Sequence, residues 1–370
     1  MMNIKYHYLL LITALSLFSC GKENETAELP PQVSLSLETD QLTLSPGEIF
    51  KITASVSDSQ YKSEWLLNNE LVSTANEYNF TAGDEGVYSL KYKAINDAGE
   101  FSKTYTITVV FSPGRPVSPE SNAYVTSLVV YKPAPGQFIN KAPGNLESAN
   151  SIVGKKGTVS LGAYGGYIVL GFDHTVLDVA DKEDIIVYGN GSSSSAEPGI
   201  VYVMRDDNKN GLADDTWYEL SGSAYNSPGY ERNYSVTYTR PNPATADIPW
   251  RDSKGNTGVV KTNNFHKQAY YPEWIAENEY TLTGSLLPSS NIDMSNPNFI
   301  KSAPFEFGYA DNIAGSDKLD IKNAINAEGK TVKLYGIDFI KIQTGIQASL
   351  GWLGELSTEV TGVADLSLVK

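Results

Sequence analysis

Between Asp206 and Leu220 the chain reads DDNKNGLADDTWYEL, and its oxygen-bearing side chains are spaced as in a cation loop. Asp206, Asn208 and Asn210 stand at i, i+2 and i+4, Gly211 follows where the backbone has to turn sharply, and Asp214 and Asp215 return two more carboxylates. An all-oxygen set suits a hard ion such as Ca²⁺. The expected shell is the side chains of Asp206, Asn208, Asn210 and Asp214 or Asp215, with the Leu212 carbonyl. Counted from Asp206, the twelfth position of an EF-hand would carry a bidentate Glu, and here it is Trp217. The loop is therefore closer to the compact loops of extracellular calcium modules, with an expected affinity on the order of 10⁻⁴ to 10⁻³ M. Three outcomes are open: an ion that only rigidifies the loop, no ion, or an ion that touches a ligand directly. In the first case the loop is a clip that aims Trp217 and Tyr218.

Other chemistry is thinly represented. No G-x-S-x-G elbow occurs, and the histidines are His7, His174 and His266. The two that lie outside the N-terminal apolar segment read as structural or ligand-touching groups rather than bases, and they are too isolated for a dedicated zinc site. Paired carboxylates for glycoside chemistry are decided by the fold, and no pair is singled out by the chain. The Gly162–Tyr167 run, GAYGGY, precedes a strand and not a helix, so it reads as a tight turn rather than a phosphate cradle. Residues Gly189 to Ser195 read as a mobile loop tip. The expectation is a binding protein and not an enzyme.

Aromatic residues are concentrated after the acidic loop. Trp217, Tyr218, Tyr230, Trp250, Tyr270, Tyr271 and Trp274, with His266 among them, form the expected ligand-binding set, because several sit among Gly, Pro, Asn and Asp where no core requires them. The bland alternative is that they pack under long loops as satellite cores.

The elements that must position these residues are strands. Alternating runs such as FKITASV, YSLKYKAI and TYTITVV, separated by turn clusters, fill residues 33–111. About seven short strands in that length predict a sandwich, with Trp65 in its core and Asp84-Glu85-Gly86-Val87-Tyr88 as a tyrosine corner. Residues 112–121 carry three prolines and read as a stiff linker. Residues 122–370 supply YVTSLVVYK, YIVLGFD, GIVYVMR, KLYGIDFIKIQ and similar runs, which predict a larger jelly-roll-like β-sandwich as the ligand-binding domain. The one helix-like stretch is 317–327, within which Ala324-Ile325-Asn326 reads equally as a turn of 3₁₀ helix. The fold class is thus all-β throughout.

Residues 1–19 read as a secretory signal ending at a small residue before Cys20, the only cysteine, which makes acylation its natural role. Residues 20–32 then form a tether, and anchorage is by lipid rather than by a spanning helix. The formal net charge of -15 disfavours nucleic acid and anionic lipid headgroups as partners.

Several segments carry resemblances. Gly21-Lys22-Glu23-Asn24-Glu25 resembles the signal that sends Bacteroidota-type lipoproteins to the outer face of the outer membrane. The Trp65 and tyrosine-corner segment resembles a PKD-like or other immunoglobulin-like domain without the disulfide. From Tyr124 onward, the segments 131–138, 165–173, 197–220, 268–272 and 351–355 resemble a family of Bacteroidota cell-surface lipoproteins. That resemblance implies capture of cobalamin or another corrinoid and its delivery to a TonB-dependent outer-membrane transporter. The residues themselves fit a glycan ligand equally well, with Trp and Tyr stacking on pyranose rings, and a structural adhesin is a third reading.

Overall fold

The computed structural model describes residues 28–57 and 59–370. Cys20 and the signal segment lie outside the described residues, as does the first part of the tether. The chain divides into two compact units, Met1–Phe111 and Ser112–Lys370.

The first unit is an immunoglobulin-like sandwich. A three-stranded sheet (Val33–Leu35, Ile49–Val56, Glu77–Thr81) and a five-stranded sheet (Gln41–Leu44, Gly99–Val109, Gly86–Asn96, Lys62–Leu67, Glu70–Ser73) enclose one core. Strand residues alternate between faces, so Leu90, Tyr92 and Ala94 of one strand all turn inward. Trp65 is fully buried and its Nε1 donates to the Ala75 carbonyl at 2.9 Å. The Tyr88 hydroxyl donates to the Asp84 carbonyl at 2.7 Å, which closes the tyrosine corner.

The second unit is a larger β-sandwich built on a six-stranded antiparallel sheet. In spatial order its strands are Ala324–Ile325, Trp217–Leu220, Gly199–Met204, Gly336–Thr344, Tyr167–Leu177 and Ser127–Lys132. Ile168, Leu170, Val201, Val203, Ile340 and Ile342 belong to the core that this sheet shares with Ile185, Val187 and Val363 of a three-stranded sheet (Ser316–Leu319, Ile185–Tyr188, Gly362–Asp365). A four-stranded sheet (Thr257–Val260, Ile248–Asp252, Glu231–Thr239, Glu279–Leu286) meets the other face. There the Gln343 Nε2 donates to the Thr283 carbonyl and the Ser285 N–H donates to the Tyr202 hydroxyl. Its own core is rich in tyrosine, with Tyr164, Tyr234, Tyr238 and Tyr280.

Three local expectations change. The 317–327 stretch is not an α-helix: it divides into the Ser316–Leu319 strand, a 3₁₀ turn at Ile321–Asn323 capped by Asp320, and the short Ala324–Ile325 edge strand. Among the described residues the α-helix is Leu146–Ser151, where the Asn145 side chain accepts from the Ser148 N–H. The Pro-rich segment 112–121 is strapped to the second unit, since Arg115 donates to the Phe172 carbonyl at 2.6 Å and pairs with Asp338 at 3.1 Å. The 189–191 turn is pinned rather than free, with the Asn190 and Gly191 N–H groups both donating to Asp311 Oδ1 at 2.8 Å.

Candidate functional site

The face of the six-stranded sheet turned toward the four-stranded sheet floors a cleft of about 470 Å³. Pairing partners across the sheet run Ile325, Glu219, Tyr202, Lys341, Val169, Val130, one residue from each strand in a single transverse row. All six line the cleft. Trp217 and Tyr167 flank the row, and Arg232, Asn233, Thr283, Gly284 and Ser285 of the four-stranded sheet form the opposing wall. The chain neighbours of the row residues, such as Ile340 and Ile342 beside Lys341, turn to the opposite face and fill the core.

The polar groups in this cleft are fixed. Glu219 is buried, and its carboxylate accepts from the Tyr230 hydroxyl at 2.6 Å and from the Ser285 hydroxyl. Burial pushes the Glu219 carboxyl above its ordinary range, against the opposing pull of those hydrogen bonds and of Arg232 and Lys341. The Lys341 Nζ lies 4.6 Å from the Tyr167 ring centroid and 4.7 Å from that of Tyr202, an ammonium between two aromatic rings. Burial lowers its pKa to about 8, with Glu219 acting in the opposite direction. Arg232 donates to the carbonyls of Ala327 and Asn326, at 3.0 and 2.8 Å.

The acidic loop abuts this cleft, with Ala213 at its edge and Trp217 just beyond it. Asp206 accepts from the Asn210 N–H at 3.0 Å and from the Gly211 N–H at 2.8 Å, and Gly211 adopts φ +77°, the left-handed turn the sequence called for. The Asn210 amide donates to both Asp214 oxygens, at 3.2 and 3.0 Å, and the Asn208 amide to one of them at 3.2 Å. The Leu212 N–H donates to Asn210 Oδ1, and Asp215 accepts from the Asp207 N–H instead of joining Asp214. Asp206, Asn208, Asn210 and Asp214 are thus tied to one another by hydrogen bonds in which the Asp206 and Asp214 oxygens accept N–H groups.

The aromatic set separates. Trp217 lines the cleft, whereas Tyr218, the next residue of the same strand, packs against the core on the far face. Successive strand residues alternate, so the two cannot share one surface. Tyr230 takes part through its hydroxyl on Glu219. Tyr270 and Tyr271 are buried in the tyrosine-rich core and are not ligand contacts. They have partners there: the Tyr270 hydroxyl accepts from the Asn263 N–H, and the Tyr271 hydroxyl donates to the Glu277 carbonyl. Trp274 stacks on Tyr131 at 5.8 Å, Trp250 packs against the tyrosine-rich core, and His266 meets Phe138 edge-on at 5.0 Å. These lie apart from the cleft floor.

Sequence reasoning missed Tyr167, Tyr202, Glu219, Arg232, Ser285 and Lys341. A signal was available for two of them: Glu219 in WYEL and Lys341 in IDFIKIQ are charges set inside apolar strands. It also missed two carboxylate groupings, Asp178 with Asp184 and Asp320, and Glu197 with Asp311 and Glu359. In the second, burial raises all three carboxyls, and repulsion from neighbouring carboxylates adds to it at Glu197 and Asp311. Backbone N–H groups of Asn190, Gly191 and Glu359 hold Asp311, that of Ser357 holds Glu197, and the Ser357 hydroxyl donates to Glu359, so the three act as a loop staple.

No family model and no curated relative matches the chain. Among solved structures, the PKD domain of human KIAA0319 is 19% identical over 27% of this chain and 98% of its own, at a TM-score of 0.20. A SusE-like protein is 7% identical over 92% and 99%, at 0.24. A carbohydrate-binding module of the β-sandwich superfamily is 12% identical over 92% and 99%, at 0.19. The function therefore has to be read from the cleft itself.

Proposed function

We propose that the second unit is a saccharide-binding module and that the protein acts by holding its ligand rather than by transforming it. One observation carries this: on a single floor, aromatic side chains stand beside hydrogen-bonding groups already fixed by protein partners. Trp217 offers an apolar ring for the C–H side of a pyranose, while Glu219, Thr283, Ser285 and Asn233 offer polar edges for its hydroxyls. Both Glu219 oxygens already accept hydroxyl hydrogens, which suits a positioned acceptor more than a general base. The volume of about 470 Å³ falls within the roughly 300–1,000 Å³ of small-molecule sites and suits one or two sugar residues. A corrinoid, the ligand implied by resemblance, is too large to be enclosed there.

In this proposal Cys20 carries the lipid anchor, the first unit is a spacer, and the cleft faces the cell exterior. Among the described residues no helix is long and apolar enough to cross a membrane. We further propose that Asp206, Asn208, Asn210, Asp214 and the Leu212 carbonyl hold Ca²⁺ as a structural ion that fixes the approach to Trp217. Chelation with EDTA should then lower the melting temperature and alter Trp217 fluorescence, because an ion bound by the native state stabilises it. An unchanged melting curve and spectrum would count against the ion.

Calorimetric titration of the full chain with a panel of mono- and oligosaccharides, with cyanocobalamin as a separate arm, tests the main reading. Saccharide binding that Trp217→Ala weakens at least tenfold supports it. Binding of cyanocobalamin with silence toward every sugar would replace it with the corrinoid reading.

A further inference from the structure

The charges in the cleft are out of keeping with the rest of the chain. A protein with a formal net charge of -15 places two basic side chains, Lys341 and Arg232, and one carboxylate, Glu219, around this space. Neither basic group has a carboxylate partner within ion-pair distance among the described residues. Arg232 is held by two carbonyls, and the Lys341 ammonium lies over two ring faces. The Glu219 oxygens are taken by Tyr230 and Ser285, so its charge acts on Lys341 only from a distance. The half-buried Lys341 ammonium is flanked by two aromatic rings, which offer its N–H groups no oxygen acceptor. An acceptor brought by a ligand would complete the site.

We propose that the saccharide selected by this cleft is anionic, carrying a carboxylate or a sulfate ester, and that the Lys341 ammonium binds that group while Arg232 adds long-range attraction. The proposal rests on the saccharide reading above and specifies its substrate class. Lysine suits the role because its ammonium is a point charge that accepts carboxylate and sulfate alike. At neutral pH the amine is still mostly protonated, as binding requires.

The experiment is titration of the full chain at pH 7 with D-glucuronate, D-glucose 6-sulfate and D-glucose, each against the native protein and against Lys341→Met. Melting temperature serves as the control for folding. The expected result is at least tenfold tighter binding of one or both anions than of glucose, with that advantage abolished in Lys341→Met. The stronger of the two anions identifies the group. Equal affinity for glucose and the anions, or an anion preference that survives Lys341→Met, overturns this proposal and leaves the saccharide reading standing. Silence toward all three sugars and toward their oligomers overturns both.

Discussion

At the scale of single residues, Lys341 is the most revealing group. Its pKa in the fold, about 8, lies below the free lysine value of 10.5, so the native state holds that proton less tightly than the unfolded chain does. Below pH 8 both states are protonated and the native state bears the full penalty; the penalty disappears as pH rises from 8 to 10.5. Lys341→Met should therefore stabilise the protein at pH 7 by up to about 3 kcal/mol, and urea denaturation at pH 7 and pH 10 should show the gain shrinking. A residue kept at a cost in stability is better explained by ligand binding than by packing. His174 behaves in the opposite sense. It is fully buried between Asp173 at 2.6 Å and Asp365 at 2.9 Å; burial alone would lower its pKa, but the two carboxylates outweigh that and raise it. Its contribution to stability is fully present below the ordinary histidine pKa and is lost as pH rises through the raised one. His174→Phe leaves Asp365 buried without its partner, and should cost about 3–5 kcal/mol at pH 6 and less at high pH, read from denaturant midpoints.

At the scale of elements, the cleft depends on how closely the four-stranded sheet approaches the six-stranded one. A Cβ added at Gly284 would collide with Gln343 Oε1, and Gln343 has no room to yield, being buried with its Nε2 bonded to the Gly165 and Thr283 carbonyls. Gly284→Ala should destabilise the protein by about 1–3 kcal/mol and weaken saccharide binding, because the wall carrying Ser285 is pushed off the floor; thermal melting and titration check the two effects. The strands themselves were legible in the chain. Alternation in YSLKYKAI and YIVLGFD identified them, and Trp65 with the Asp84–Tyr88 corner identified the first sandwich, since those signals are local. The cleft was not legible. Its floor joins residues from 130 to 341 that become neighbours only through strand order and register, and neither is written in any short window. For the same reason Tyr270 and Tyr271, surrounded by turn-forming residues, read as surface groups when they are core.

At the scale of the whole molecule, every residue of the cleft lies within Ser112–Lys370. Trp65→Ala removes the largest buried side chain of the first unit and should cost that unit about 3–5 kcal/mol, visible as a lowered calorimetric transition, while ligand affinity stays unchanged. A loss of affinity in that variant would show that the first unit is more than a spacer. The transverse row has a further consequence. Each of the six strands contributes a side chain to this row, and neighbours such as Ile168, Leu170, Ile340 and Ile342 are committed to the core on the other side. Ligand preference can therefore drift by substitutions along the row, on a frame that does not have to be rebuilt. A scaffold of this kind can acquire new ligands by single substitutions while keeping its shape.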